Sequence, residues 1–501
     1  MQIVVYSILA FAAAFAAFAM VLTGVGGLHA ARKSREGLLP YFFYALFASG
    51  ALSMFFSTRN FEGLDLNSGS AAGGTVASWA TRITTLLLLI GAMDQIVRFF
   101  SRRPKISGTQ AALILLFVFF WITNVILPAK FATHPDSFEM AWVYPLFLVP
   151  AFLMMSERGG FDCVKNCRNA ILAFTIVSIL TIAIRPSSVI EWAYTQGYLP
   201  GVPRFAGLAP HAILMGTIAA LGIWCLMMMP LQSRGWNRAA LFMCTAVLFL
   251  TQSKTVWVSF ILTTPVLLYY QRGLPSMREV KKLKVLPVFI VLAMLVLAIG
   301  TVLYLIFGGG IDRFVDFTAT KDGHQLMTFT GRDKIWTAAI DEWRKSPLFG
   351  YGLSLFDFGY RKQTGLVSAF HAHNQFLDSL GRTGSVGALG CTLYMCALFW
   401  VAFRLGRASG GLTTVLALIM IFRSVSEISI SVKSTGTTEI VHYLLLAAIA
   451  ASMARQHSAS KVSVFATAAL PARPVVPPVP PARPYRGRAV ARVMPTHSNP
   501  T

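Results

Sequence analysis

The stretch Phe370-His371-Ala372-His373-Asn374-Gln375 stands just before an apolar run and holds the residues best suited to proton transfer. An imidazole titrates near neutral pH, so it can take or give a proton under ordinary conditions. The plainer reading is that these histidines only cap a helix at a membrane interface. A metal site is weaker still. Two His at i, i+2 are too few; His324 would be a third ligand, but no Asp, Glu or Cys cluster accompanies them. Two isolated cations stand out elsewhere, Arg204 in Pro203-Arg204-Phe205-Ala206-Gly207-Leu208 and Lys254 in Gln252-Ser253-Lys254-Thr255. Taken alone, Lys254 reads as snorkelling to headgroups and Arg204 as a structural ion pair. Two cations on the same side as an imidazole suit a pyrophosphate and a proton transfer beside it.

The elements that must position these residues are membrane helices. Of 501 residues, 55% are hydrophobic and 13% charged, and mean hydropathy is +0.62. A soluble chain carries about 25% charged residues, so the composition rules out disorder over most of the length and argues against a soluble enzyme. Thirteen apolar segments are centred within 3–28, 38–56, 79–97, 110–127, 141–155, 170–184, 210–229, 238–250, 255–270, 285–307, 384–403, 411–425 and 440–454. The first lacks a positive n-region and is kept as a helix rather than a signal peptide. The pair 238–250 and 255–270 is either a tight hairpin or one interrupted helix. The expected fold is an all-α polytopic membrane protein with about 12–13 transmembrane helices. The six cysteines show no metal-ligand spacing and no disulfide framework, and Cys163 and Cys167 are expected as free thiols in a basic loop.

Charge gives the orientation. One set of loops holds 19 Lys and Arg and the alternate short loops hold 6, the positive-inside pattern. The N-terminus is then outside and the C-terminus cytoplasmic. The net charge of +23 lies almost wholly on the cytoplasmic side, so it reports topology and gives no support to nucleic-acid binding. The expected organisation is N-terminal helices over 1–307, one long outer loop over 308–383, C-terminal helices over 384–454, and a disordered Pro- and Arg-rich tail over 455–501.

The outer loop opens with Gly308-Gly309-Gly310 and is too long for a connector. Within it, Ile335, Trp336, Ala339, Ile340 and Trp343 recur at helical spacing opposite Asp333, Lys334, Asp341, Arg344 and Lys345. Thr330 is the expected N-cap and Pro347 the stop. This amphipathic helix is expected to lie on the outer membrane face, apolar side down.

The order of these elements resembles the O-antigen ligase and Wzy-type polysaccharide polymerase superfamily. The resemblance rests on R-x-x-G at Arg204 to Gly207, Ser253-Lys254 between helices, T-G-R-x-x-x-W at Thr330 to Trp336, P-L-x-G-x-G at Pro347 to Gly352, and H-x-H-N at His371 to Asn374. It covers residues 200–400 and is closest to the exopolysaccharide-polymerase branch. It implies an inner-membrane glycosyltransferase that polymerises undecaprenyl-pyrophosphate-linked repeat units at the periplasmic face, inverting and without a metal or other cofactor. It implies His373 as the catalytic residue, Arg204 and Lys254 as pyrophosphate ligands, and Arg332, His371 and Asn374 as binding or supporting residues. Much of the family has Arg where this chain has Lys254, which loses bidentate phosphate geometry. The implied partners are lipid-linked donor and acceptor, the bilayer, and chain-length regulator and export proteins. Two other readings stay open: a ligase passing glycan to another acceptor, and a lipid-linked oligosaccharide flippase. The flippase predicts charges deep in the helices, where only Arg82, Asp94 and Arg423 occur.

Overall fold

The computed structural model describes residues 36–57, 59–61, 75–102, 106–192, 201–272, 332–366, 369–432 and 437–468. Segments 3–28 and 285–307, the Thr330 cap, His324 and the tail beyond 468 lie outside the described residues.

The chain is an all-α membrane protein with a single two-stranded sheet among the described residues. In order come α1 (Phe42–Phe55), α2 (Thr75–Arg102), α3 (Gly108–Trp121), α4 (Tyr144–Leu153), α5 (Glu157–Ile184), α6 (Ala212–Met228), α7 (Arg234–Leu250), α8 (Lys254–Arg272), α9 (Arg332–Lys345), α10 (Phe358–Thr364), α11 (Gln375–Arg404), α12 (Leu412–Ser426) and α13 (Ile440–Ala468). By length and composition, 78–102, Gly108–Phe131, α5 and α11 can each cross a membrane, and α6 and α12 are among the shorter apolar helices. The strands β1 (Ile190–Glu191) and β2 (Arg204–Phe205) pair antiparallel, with Glu191 opposite Arg204.

Capping residues set the helix starts. Ser107 and Gln110 form a reciprocal capping box on α3, and Ser156 and Ser233 cap α5 and α7. The α6 helix is buried along almost its whole length and forms the centre on which α5, α7 and α8 pack. The α2 helix exposes Trp79, Ile83, Leu86, Ile90 and Val97, the face expected toward lipid. At Gly160 of α5 an added Cβ would fall 2.6 Å from Ala451 Cβ of α13, so only glycine allows that close helix contact.

Several boundaries differ from the sequence expectation. Residues 157–169 are the first turns of α5, not a loop. Cys163 and Cys167 lie four apart on its buried face, and all six cysteines are free. Segments 238–250 and 255–270 are two helices, each packed on α6, meeting at Thr251-Gln252-Ser253, where Gln252 takes a positive φ of 47°. The last helix runs to Ala468, past the expected start of the tail.

The amphipathic helix forms as α9, but its apolar side does not face lipid. Ile335 and Ala339 pack with Leu355, Phe356, Tyr360, Ala369 and Ala372, and the helix lies against α11. The long loop has enough apolar residues to build its own small core, which buries that stripe better than a headgroup layer would.

Candidate functional site

The histidine segment is held from several sides. Asn374 caps α11: its Oδ1 accepts from Phe376 N (3.0 Å) and Leu377 N (3.1 Å). The capping role expected for the histidines is therefore carried by Asn374. Between the histidines, Ala372 N donates to Asp378 Oδ1 (3.0 Å) and Ala372 O accepts from Trp336 Nε1 (2.8 Å). Asp378 pairs with Arg382 (2.9 Å), which donates to Leu353 O and Phe370 O. His373 has φ +48°, rare for a residue with a Cβ, and the clamps on either side keep it there.

Both imidazoles converge on Glu427, the residue that ends α12. The Glu427 carboxylate is buried, at 5% exposure. His373 Nδ1 lies 3.3 Å from both of its oxygens, His371 Nε2 3.6 Å away, and Arg332 Nη2 3.5 Å away. Arg332 also donates to Ser426 O (2.9 Å), which ties the first turn of α9 to the end of α12. Burial alone would raise the Glu427 pKa, but the bond to His373 and the charges of the surrounding imidazoles hold it well below the usual carboxylate range. Sequence reading missed Glu427. Its only signal is that an acid closes a short apolar helix four residues after the buried Arg423.

The tautomers follow from the bonds. His371 Nδ1 accepts from His373 N (3.0 Å), so the neutral His371 ring carries its proton on Nε2, facing Glu427. Burial, then the charge of His373, lowers the His371 pKa to about 4, so the ring is neutral near pH 7. For His373, the carboxylate at Nδ1 favours a proton there and leaves Nε2 as the acceptor nitrogen.

His371, His373 and Glu427 offer ligand atoms within 4.8 Å of one another, so an acid does accompany the two histidines, contrary to the sequence expectation. They fit proton chemistry better than a metal. His371 would have to give up its Nε2 proton while Nδ1 still accepts a backbone N–H, and Arg332 already faces the same carboxylate.

The other two elements lie around α6 to α8. Arg204 lies across from Glu191 (3.3 Å) and donates through Nε to Thr251 O (2.8 Å). Gln252 Nε2 donates to Val202 O (2.7 Å), so the R-x-x-G segment is fastened to the turn that precedes Lys254. Lys254 is exposed as the first residue of α8. Buried Arg59 donates to Gly207 O and Ala209 O (2.5 Å each) and fixes the segment from its other side. His211 then caps α6, accepting at Nδ1 from Leu214 N (3.2 Å). Burial lowers its pKa to about 4, with Glu427 opposing and Arg423, Arg204 and His373 adding to the shift. The causes of that shift include Arg204 from the R-x-x-G segment as well as His373 and Glu427. This third imidazole also escaped sequence reading.

Residues 239–392 match the family model described as O-antigen ligase. That stretch, about a third of the chain, is similar to the O-antigen ligase family. The matched stretch includes Lys254, Arg332, His371, His373 and Asn374; Arg204 precedes it and Glu427 follows it. No curated protein matches the chain.

Proposed function

We propose that this protein is a glycosyltransferase of the inner membrane that joins undecaprenyl-pyrophosphate-linked repeat units into exopolysaccharide at the periplasmic face. The observation that carries this reading is the buried Glu427 carboxylate 3.3 Å from His373 Nδ1, with the Arg332 guanidinium 3.5 Å away. The acceptor hydroxyl gives its proton to His373 Nε2 as its oxygen attacks the anomeric carbon. The bond from that carbon to the diphosphate oxygen breaks, its electron pair leaves with the diphosphate, and the centre inverts. Glu427 stabilises the imidazolium that forms. Arg204, Lys254 and Arg332 meet the charge that gathers on the leaving group, which lowers the transition state more than the ground state. His371, neutral near pH 7, leaves the proton-accepting role to its neighbour.

The positive-inside pattern supports a cytoplasmic C-terminus and a periplasmic site. Chain-length regulator and export proteins are the further partners this reading calls for. The test is His373→Ala in cells. Single lipid-linked repeat units accumulate at normal protein level if the reading holds; unchanged polymer length overturns it. Glycan appearing on a lipid A core or a protein, without chain lengthening, would make the protein a ligase with the same chemistry.

A further inference from the structure

A cavity of about 180 Å³ lies behind His371, on a different set of residues from Arg204, Lys254 and Arg332. Its walls come from α3 and the π-turn at Ile122–Ile126, from the first turns of α11, and from residues 428–432 after Glu427. The space far exceeds the roughly 10–15 Å³ that one water needs. A π-turn inside a helix is often a functional bulge, and this one turns Asn124 inward. Asn124 Oδ1 accepts from Ser379 Oγ (2.7 Å) and Thr383 Oγ1 (3.1 Å), while its Nδ2 donates to Gly387 O (2.9 Å) and Phe120 O (3.0 Å). The wall is therefore rigid before anything enters.

Its chemistry separates it from the diphosphate side. The charges lining it, Asp378 and Arg382, are paired with each other at 2.9 Å, so the cavity offers an anion no net attraction. The lining mixes eight polar side chains with six apolar ones, and a hydrocarbon tail would shut the polar ones away from water without a partner on that side. Hydroxyls, an amide and a carboxylate, with the apolar rings of Phe120 and Phe370 among them, match a molecule with hydroxyls at its edge and C–H groups on its faces. His371 is the shared wall, and its ring centroid lies 4.1 Å from that of His373.

We infer that this cavity is the subsite for the acceptor saccharide, an uncharged sugar residue whose attacking hydroxyl is held beside the histidine pair. The inference rests on the glycosyl-transfer reading and adds a division of labour: diphosphate on the basic side, acceptor sugar in the neutral cavity.

The test uses the full chain in lipid nanodiscs, with methyl glycosides of hexoses and N-acetylhexosamines as probes. Ser431→Phe and Ile428→Trp fill the cavity from the connecting segment rather than from the packed helices, and Ser431→Ala is the control. Saturation-transfer NMR should show at least one glycoside binding to the wild type and to Ser431→Ala, with affinity reduced about tenfold or more in the filled variants. In transfer assays the filled variants should raise acceptor KM by a similar factor and leave donor KM unchanged. Equal glycoside binding in wild type and in folded, filled variants overturns the inference, and so does the lack of any binding glycoside in the wild type. If polymer length survives His373→Ala while glycoside binding is still lost on filling, the catalytic reading fails and the subsite stands.

Discussion

Glu427 does for His373 what no neighbour in sequence can do. A carboxylate at Nδ1 fixes the ring tautomer and stabilises its protonated form, and general acid–base help of this kind contributes roughly 10²–10⁴ in rate. Glu427→Gln keeps the shape and removes the charge, so kcat for polymer formation should fall by about a hundredfold or more while donor binding persists. Acid should weaken the folded state through the same cluster. An unfolded histidine takes a proton near pH 6.5, whereas His371 and His211 do so only near 4. The unfolded state therefore binds more protons across that interval, and stability falls as pH drops through it. Glu427 adds to the loss at still lower pH, since its folded pKa lies below the unfolded one. Thermal denaturation of wild type and Glu427→Gln between pH 7 and 3 checks both parts; a mutant curve identical to the wild type at the acid end would remove Glu427 from the account. His373, His371 and Arg204 were legible as residues because local spacing announced them. Glu427 was not, because the pairing spans 54 residues and depends on where α12 ends.

At the scale of elements, Asn374 distinguishes cap from ligand. Removing an N-cap costs about 1 kcal/mol, and serine restores most of it. Asn374→Ala should lower the melting temperature and reduce activity, and Asn374→Ser should recover both; a substrate-binding amide would be lost in both variants, and equal loss of turnover would favour that role. The amphipathic α9 was readable from its period, but not what it covers. The apolar stripe of Ile335 and Ala339 says only that something apolar lies below, and Tyr360 and Ala372 supply it from distant positions. The pair β1 and β2 was not readable at all: two residues per strand carry no alternation, although this sheet sets Arg204 against Glu191.

For the whole molecule, hydropathy located the bundle well and its edges poorly. Polar turns such as Glu157–Asn169 of α5 continue a helix beyond its apolar centre, and burial against neighbours decides where it stops. The surface toward lipid can be tested through one thiol. Cys396 is the exposed cysteine among five buried ones, and it lies on the face of α11 that also exposes Leu389, Leu393, Trp400 and Phe403. In intact membranes a membrane-impermeant maleimide should label none of the six, whereas denaturation should make all of them reactive. Rapid labelling of Cys396 in sealed vesicles would place that face in water and overturn the assignment of α11.

The left-handed backbone at His373 has a consequence for anyone engineering this protein. Holding a side-chain-bearing residue there costs on the order of 1–3 kcal/mol, a debt that glycine would not carry. Glycine at this position would relieve the backbone but take the imidazole away from the buried Glu427 carboxylate, so backbone ease and side-chain pairing pull stability in opposite directions at one residue.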